Sequence, residues 1–333
     1  MTISREIRLA ARPAGTPDAS HFELVTTTLP DPGPGDILVR NRYMSVDPYM
    51  RGRMTDRPSY VPPFELGEPL QGGAVGEVLA SGDPRFAPGD LLLSMFGWRE
   101  AVVAPAATFT RLPTIPGVPV QAFLGVLGMP GLTAWAGLTQ IGEPAPGDTV
   151  FVSGAAGAVG SAVAQIAKLK GCTVVGTAGT DAKCQWLKDA GIDHAINYRT
   201  APSLLKAVQA AAPRGIDIYF DNVGGEHLEV AIEVARPFAR LVECGMISGY
   251  NATEPLPGPR NMMQIISKSL KIQGFIVSQF MGLQPEFLAE VGPWVAAGKI
   301  RWEETISQGI EAAPDAFIGL FSGSNTGKML VRL

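Results

Sequence analysis

The residues with the clearest chemical potential form a glycine run, Gly154-Ala155-Ala156-Gly157-Ala158-Val159-Gly160. It follows an apolar strand candidate, Asp148–Ser153, and precedes a segment in which Val159, Val163 and Ile166 share one helical face. A second strand is expected over 172–177. Strand, glycine turn, helix and strand in this order make a dinucleotide-binding unit. Gly157 lets the backbone approach a pyrophosphate, Gly160 lets the helix pack on the sheet, and the helix N-terminus offers unpaired N–H groups to the phosphates. The alternative is a glycine turn that serves close packing alone. An acid after the second strand would hold the ribose 2′-hydroxyl of NAD. Here 176–180 read Gly-Thr-Ala-Gly-Thr, with no acid, and Lys183 follows. Small residues and a cation suit a 2′-phosphate, so the expected cofactor is NADP(H), against the alternative of a solvated surface lysine.

Other chemistry is missing. The first 150 residues hold no cysteine and one histidine, His21, and the three cysteines, Cys172, Cys184 and Cys244, form no C-x-x-C. Zinc needs such ligands at suitable spacing, so no metal is expected. The cysteines read as buried small residues, and His194 and His227 as surface or strand-edge residues. There is no G-x-S-x-G elbow, no H-E-x-x-H, and no Tyr followed four residues later by Lys. A nucleotide fold with neither metal nor nucleophile suggests hydride transfer, in which the cofactor carries the chemistry and the protein orients it.

The elements that must position these residues come in two textures. Up to about residue 120, short alternating or apolar runs lie between Gly, Pro and Asp clusters: EIRLAAR, HFELVTTTL, DILVRNRYMSV, GGAVGEVLA and DLLLSMF. From about Leu124, strand and helix candidates alternate through LKIQGFIV at 270–277, which predicts a parallel sheet covered on both faces. The β texture returns in IRWEETI and KMLVRL. The fold class is therefore α/β, with 1–123 and 298–333 forming one β domain and 124–297 a Rossmann domain. The Pro-rich loop at 254–261 is expected to be exposed. Gly 39 and Pro 28 exceed ordinary usage, and the formal charge of −4 (27 basic, 31 acidic) gives no footprint for nucleic acid. The N-terminus lacks a signal-peptide pattern, the longest apolar stretch is broken by glycines, and unpaired cysteines fit a reducing compartment. The expectation is a cytoplasmic protein with no membrane partner.

Several longer motifs carry a resemblance. They are Val46-Asp47-Pro48-Tyr49-Met50-Arg51-Gly52-Arg53, Gly128-Met129-Pro130-Gly131-Leu132-Thr133-Ala134, the 155–160 turn, Ile166–Cys172, Phe220-Asp221-Asn222-Val223-Gly224-Gly225 and Cys244–Asn251. With them the chain resembles the zinc-independent medium-chain reductases, in the leukotriene B4 dehydrogenase, prostaglandin reductase and 2-alkenal reductase branch. Arg51–Tyr60 and the loop from Tyr250 look most like the bacterial curcumin reductases of that branch. The resemblance covers nearly the whole chain. It implies a GroES-like β domain, a Rossmann domain, a homodimer, and NADPH-dependent reduction of the C=C bond of α,β-unsaturated aldehydes and ketones. It places Pro48, Thr133, Gly157, Ala158, Val159, Gly160, Gly179, Lys183, Tyr198, Asn222, Cys244, Gly245, Ile247, Ser248, Tyr250, Phe275, Ile276, Val277 and Asn325 against the cofactor. Tyr60, Met129 and Trp135 would face the substrate. Trp135 is a departure, since Tyr is common there in the branch, and is expected to alter the pocket wall.

In such a reaction hydride reaches the β-carbon of an enone, charge develops on the carbonyl oxygen, and the α-carbon is protonated. A donor aimed at that oxygen is where catalysis gains most. Tyr250, just after a strand end where loops meet the crevice, and Tyr49, in a turn after a β-domain strand, are the candidates. For each, packing is the competing role, and the cofactor's ribose 2′-hydroxyl is a competing relay. A quinone reductase and a non-catalytic NADPH-binding protein are the alternative functions.

Overall fold

The computed structural model describes residues 1–333. The first third builds strands because β-branched and apolar residues recur between turns. β1 (Thr2–Leu9) and β2 (Phe22–Leu29) pair antiparallel as a ribbon. β3 (Asp36–Ser45), β4 (Ala74–Ser81), β5 (Leu91–Ser94), β6 (Ala101–Pro105) and β7 (Thr110–Arg111) belong to a larger sheet, in which β6 pairs with β3. Between β3 and β4 a single helical turn, α1 (Met50–Arg53), carries the 46–53 motif to the edge of the sheet.

Next come α2 (Met129–Ala136) and the alternating half: β8 (Thr149–Val152), α3 (Ala158–Leu169), β9 (Thr173–Ala178), α4 (Asp181–Asp189), β10 (His194–Asn197), α5 (Leu204–Ala211), β11 (Ile216–Asp221), α6 (Glu226–Val234), β12 (Ala235–Glu243), α7 (Met263–Ser267), β13 (Lys271–Gly274) and α8 (Gln284–Ala296). The six strands are parallel in the order β10-β9-β8-β11-β12-β13. That order reverses beside β8, and ligands of such sheets bind outside the strand ends at this switch. β8 is buried along its whole length, as helices on both faces require. Local caps match the sequence: Thr180 and Ser203 accept the N–H groups of Lys183 and Lys206 at the starts of α4 and α5. Gly171, at φ +84°, turns the chain just after α3.

The chain then returns. β14 (Glu304–Gln308) and, after α9 (Ala313–Ser322), β15 (Lys328–Arg332) join the first sheet, β15 lying antiparallel to β3. The sequence reading missed α2, α8 and α9. Each carries a proline in its first turn, and α8 also holds Pro293 internally, so tertiary packing overrides a breaker signal. The strand expected at IRWEETI begins only at Glu304. His227 is corrected: it is 4% exposed on α6, its ring edge-on to Tyr198. No helix is long and apolar enough to cross a membrane.

Candidate active site

The glycine turn lies between β8 and α3, at the switch. Gly154 takes φ +58°, and Gly157 is the N-cap of α3 with no side chain capping it, so the first-turn N–H groups face the crevice. Gly160 is required sterically: an added Cβ would press on the Gly154 carbonyl and lie 2.9 Å from Ala155 Cα. The C-terminal return reaches the same turn. Gly327 N–H donates to the Ala156 carbonyl at 2.8 Å, and Asn325 Nδ2 donates to the Gly327 carbonyl at 2.8 Å. Asn325 thus sits beside the turn and stiffens the segment that covers it.

At the end of β9 the structure gathers Gly179, Lys183 and Tyr198, and adds a residue the sequence reading missed, Arg199. A Cβ on Gly179 would meet Tyr198 Oη at 3.1 Å and Arg199 Nε at 3.2 Å. Lys183 Nζ donates to the Gly323 carbonyl at 2.7 Å and Arg199 Nη2 to the Ser322 carbonyl at 3.1 Å. Neither cation is paired with a carboxylate, and burial together with Arg199 holds the Lys183 ammonium below its usual range. Two adjacent positive groups held by neutral carbonyls leave charge for an anion, and a glycine between them leaves room. These residues fit the 2′-phosphate of NADP(H).

The second region is a cleft lined by tyrosines from distant segments. Tyr49 precedes α1, Tyr60 lies on the loop after it and is 60% exposed, and Tyr250 follows the short turn at Ile247–Gly249. Burial pushes the Tyr49 hydroxyl up, Asp47 adds to this, and the guanidinium of Arg53 opposes it. Burial also raises Tyr250, whose hydroxyl is placed by the Met246 backbone and lies near Cys244 and Tyr60. Tyr60 is thus a neighbour of both Tyr49 and Tyr250, and Arg53 is the cation beside Tyr49 and Tyr60. Arg53 also donates to the Pro62 carbonyl and Gln71, both at 2.9 Å, and lies over the Phe64 ring. Cys244 is only half-buried, but burial, Asp221 and Glu243 push its thiol up to about 12, so it stays neutral.

Two buried charges hold the loops. Asp221 Oδ1 accepts from Ser153 Oγ (2.9 Å), Tyr219 Oη (2.7 Å) and the N–H groups of Val223 and Gly224 (both 2.8 Å). The N–H groups of Cys244 and Gly245 donate to its carbonyl, Asn222 is tied to Ser153, and Ser248 Oγ donates to the Val223 carbonyl at 2.6 Å. Ile247 N–H donates to the Asn222 carbonyl. Glu243, paired with Asp221 across β11 and β12, is raised to about 8 by burial and by Asp221. In the other half Lys328 of β15, 4% exposed, donates to the Val46 carbonyl at 2.9 Å and pairs with Asp47 at 3.1 Å. That fixes the turn carrying Pro48 and Tyr49.

Some expected site residues sit elsewhere. Trp135 is 6% exposed, with its Nε1 donating to Glu290 at 2.6 Å and its ring against Phe287 of α8. Glu290 also takes Lys170, just past the C-terminal end of α3 and so at the far end from the glycine turn. Trp135 thus packs α2 against α8. The Phe275 ring is turned into the core against Phe220, leaving its backbone and the half-buried Ile276 and Val277 toward the strand end. Met129 is 37% exposed at the start of α2, where Thr133 Oγ1 donates to its carbonyl at 2.7 Å. No group of three or more His, Cys, Asp or Glu side chains could hold a metal ion.

Comparison with known proteins agrees with this geometry. Residues 5–112 match the family described as N-terminal domain of oxidoreductase, and residues 158–296 the family described as zinc-binding dehydrogenase. NADPH-dependent curcumin reductase of Escherichia coli is 42% identical, with 98% of this chain and 95% of that protein covered. Prostaglandin reductase 1 of Bos taurus is 44% identical over 96% of this chain and 95% of that protein. The crystal structure of CurA from Vibrio vulnificus in complex with NADPH superposes with a TM-score of 0.93 at 44% identity, covering 98% of each chain. The chain belongs to the medium-chain dehydrogenase/reductase family, in the branch that holds the prostaglandin, 2-alkenal and curcumin reductases.

Proposed function

We propose that this protein reduces the C=C bond of α,β-unsaturated aldehydes and ketones with NADPH. The observation that carries the reading is the gathering of tyrosines at the loop after β12: a Cβ on Gly245 would meet the Tyr250 hydroxyl at 2.9 Å, and Tyr60 neighbours both Tyr250 and Tyr49. Lys183 and Arg199 would hold the 2′-phosphate, and the turn 157–160 the pyrophosphate. NADPH, when bound, supplies the hydride. The chain's own residues orient the enone, keep water out, and hold a hydroxyl proton where charge develops on the carbonyl oxygen. Tyr250 and Tyr49 are phenols at neutral pH, as any tyrosine is, and burial pushes both further from ionisation, so each can donate a hydrogen bond. Asn222, Cys244 and Gly245 to Ser248 shape the nicotinamide side.

The domain division at 1–123 with 298–333 and at 124–297 belongs to the same proposal. So does a homodimer, favoured by the unpaired edge of β13 and the 74% exposed Phe238 near it. A cytoplasmic setting is supported by three free cysteines. The test is a kinetic panel following loss of NADPH absorbance with 2-alkenals, enones, curcumin and quinones, repeated with NADH. Turnover of alkenals and enones, with NADH much weaker, is expected. Activity on quinones alone would overturn the alkene reading, and equal rates with NADH the cofactor reading.

A further inference from the structure

Arg51 lies between two residues of the cleft, Tyr49 and Arg53, yet it is 4% exposed and points elsewhere. Its Nε donates to Asn251 Oδ1 at 3.0 Å and to the Gly15 carbonyl at 3.2 Å. Nη1 donates to Thr55 Oγ1 at 3.0 Å, and Nη2 to the carbonyls of Gly15 at 2.9 Å and Pro13 at 3.3 Å. Every acceptor is neutral, so a buried guanidinium is held without an opposite charge. A buried cation in this state is costly unless its donors are satisfied, and the geometry satisfies them with backbone from one half and one side chain from the other. Gly15 lies against the same loop: a Cβ built on it would sit 3.5 Å from Thr253 Cγ2 and 3.9 Å from the Asn251 carbonyl oxygen.

The location matters as much as the bonds. Other hydrogen bonds between the β-rich part and the parallel-sheet part run through the C-terminal return. They are Gly327 to Ala156, Lys183 to Gly323, Arg199 to Ser322, Arg301 to Asp189, and the exchange between Gln165 and Arg301. Arg51 to Asn251 joins the two parts through the tyrosine-bearing segments instead. Asn251 directly follows Tyr250, and Arg51 lies two residues after Tyr49.

We infer that Arg51 and Asn251 form a positioning pair that sets Tyr250 against Tyr49 across the cleft. The inference rests on the reading that Tyr250 serves the reduction as a proton donor. Neither member of the pair touches the reacting atoms. Arg51 is anchored to the backbone of 13–15 and to Thr55, and through Asn251 it fixes the residue next to the Tyr250 hydroxyl. Small displacements of such a group cost rate far more than they cost binding.

The experiment uses the intact protein with NADPH and a 2-alkenal, and compares Asn251→Ala, Asn251→Asp, Tyr250→Phe and the double variant Tyr250→Phe/Asn251→Ala. Asn251→Ala removes the acceptor and is expected to lower kcat about tenfold, with the NADPH Kd from fluorescence titration within about threefold. Asn251→Asp keeps the acceptor and adds the missing opposite charge, so kcat stays within about threefold of the parent. In the Tyr250→Phe background, Asn251→Ala should add less than about twofold, because the group it positions is gone. Thermal melting of each variant separates misfolding from misplacement. If Asn251→Ala leaves kcat intact while Tyr250→Phe lowers it, the positioning role is overturned and the tyrosine reading stands. If the full loss persists in the double variant, the pair does not act through Tyr250 and the inference also falls. If Tyr250→Phe itself keeps full turnover, the tyrosine reading fails and takes the positioning role with it.

Discussion

The two ends of the crevice are built by different rules. The nucleotide end uses one contiguous stretch, β8 to β10, closed by a short piece of the C-terminal return. Its chemistry is backbone N–H groups, small residues and two cations on neutral carbonyls. The tyrosine end draws on three separated segments, around residues 49, 60 and 250, and is held by buried charges outside it, Lys328, Arg51 and Asp221. The nucleotide end therefore recognises a fixed ligand through local geometry. The tyrosine end depends on how the two parts of the molecule are set against each other. Substitutions should accordingly act on cofactor binding at the first end and on turnover at the second.

The largest effect is expected at the turn. Gly160→Val places a branched side chain on the Gly154 carbonyl and Ala155, and should abolish NADPH binding in a fluorescence titration or prevent folding. Normal binding would mean that the turn is not the phosphate cradle. Tyr49→Phe comes next. It should lower kcat about 100-fold and leave the NADPH Kd nearly unchanged. A rise in Kd instead would erase the contrast between the two ends. Lys183→Ala or Arg199→Ala should weaken NADPH about tenfold each and leave NADH unaffected, measured as the ratio of kcat/KM values. An equal loss with both cofactors would assign these cations to packing. The smallest effect concerns Glu243, whose carboxyl is raised to about 8 by burial and Asp221. Its protonated folded form is favoured below the unfolded value of 4.5, and that stability is lost as pH rises through 8. The melting temperature of the parent should fall by a few degrees over this window. Glu243→Gln should flatten the fall, and an unchanged slope would remove Glu243 from the account.

The sequence made the nucleotide end readable because its signal is local. Gly157, Gly160 and Lys183 sit at fixed offsets from strands that apolar runs reveal. Arg199 escaped because it comes after β10, and only the parallel pairing of β10 with β9 brings it to Lys183. Tyr49 and Tyr250 could be named from strand ends and from the family resemblance, but their supports could not. Lys328 and Arg51 are ordinary charged residues until the fold buries them. Trp135 shows the converse: its position in a familiar motif suggested a pocket wall, whereas Glu290 and Phe287 on α8, themselves unread, hold it in the core. α8 and α9 were hidden by prolines that a helix accepts in its first turn.

The position of β15 between β14 and β3 has a consequence for how the molecule is made. β3 is made before the parallel-sheet part, and β6 pairs with it over Asp36–Arg40, but the partner of the Tyr43–Ser45 edge, β15, comes only after that part. At roughly 5–20 residues per second, that edge stays open on the order of ten seconds or more. A strand end with free N–H and C=O groups is a template for pairing with other chains during that wait. Nascent protein should therefore pass through an aggregation-prone stage that ends when β15 docks. The part that carries Tyr49 is begun before the parallel-sheet part and finished after it.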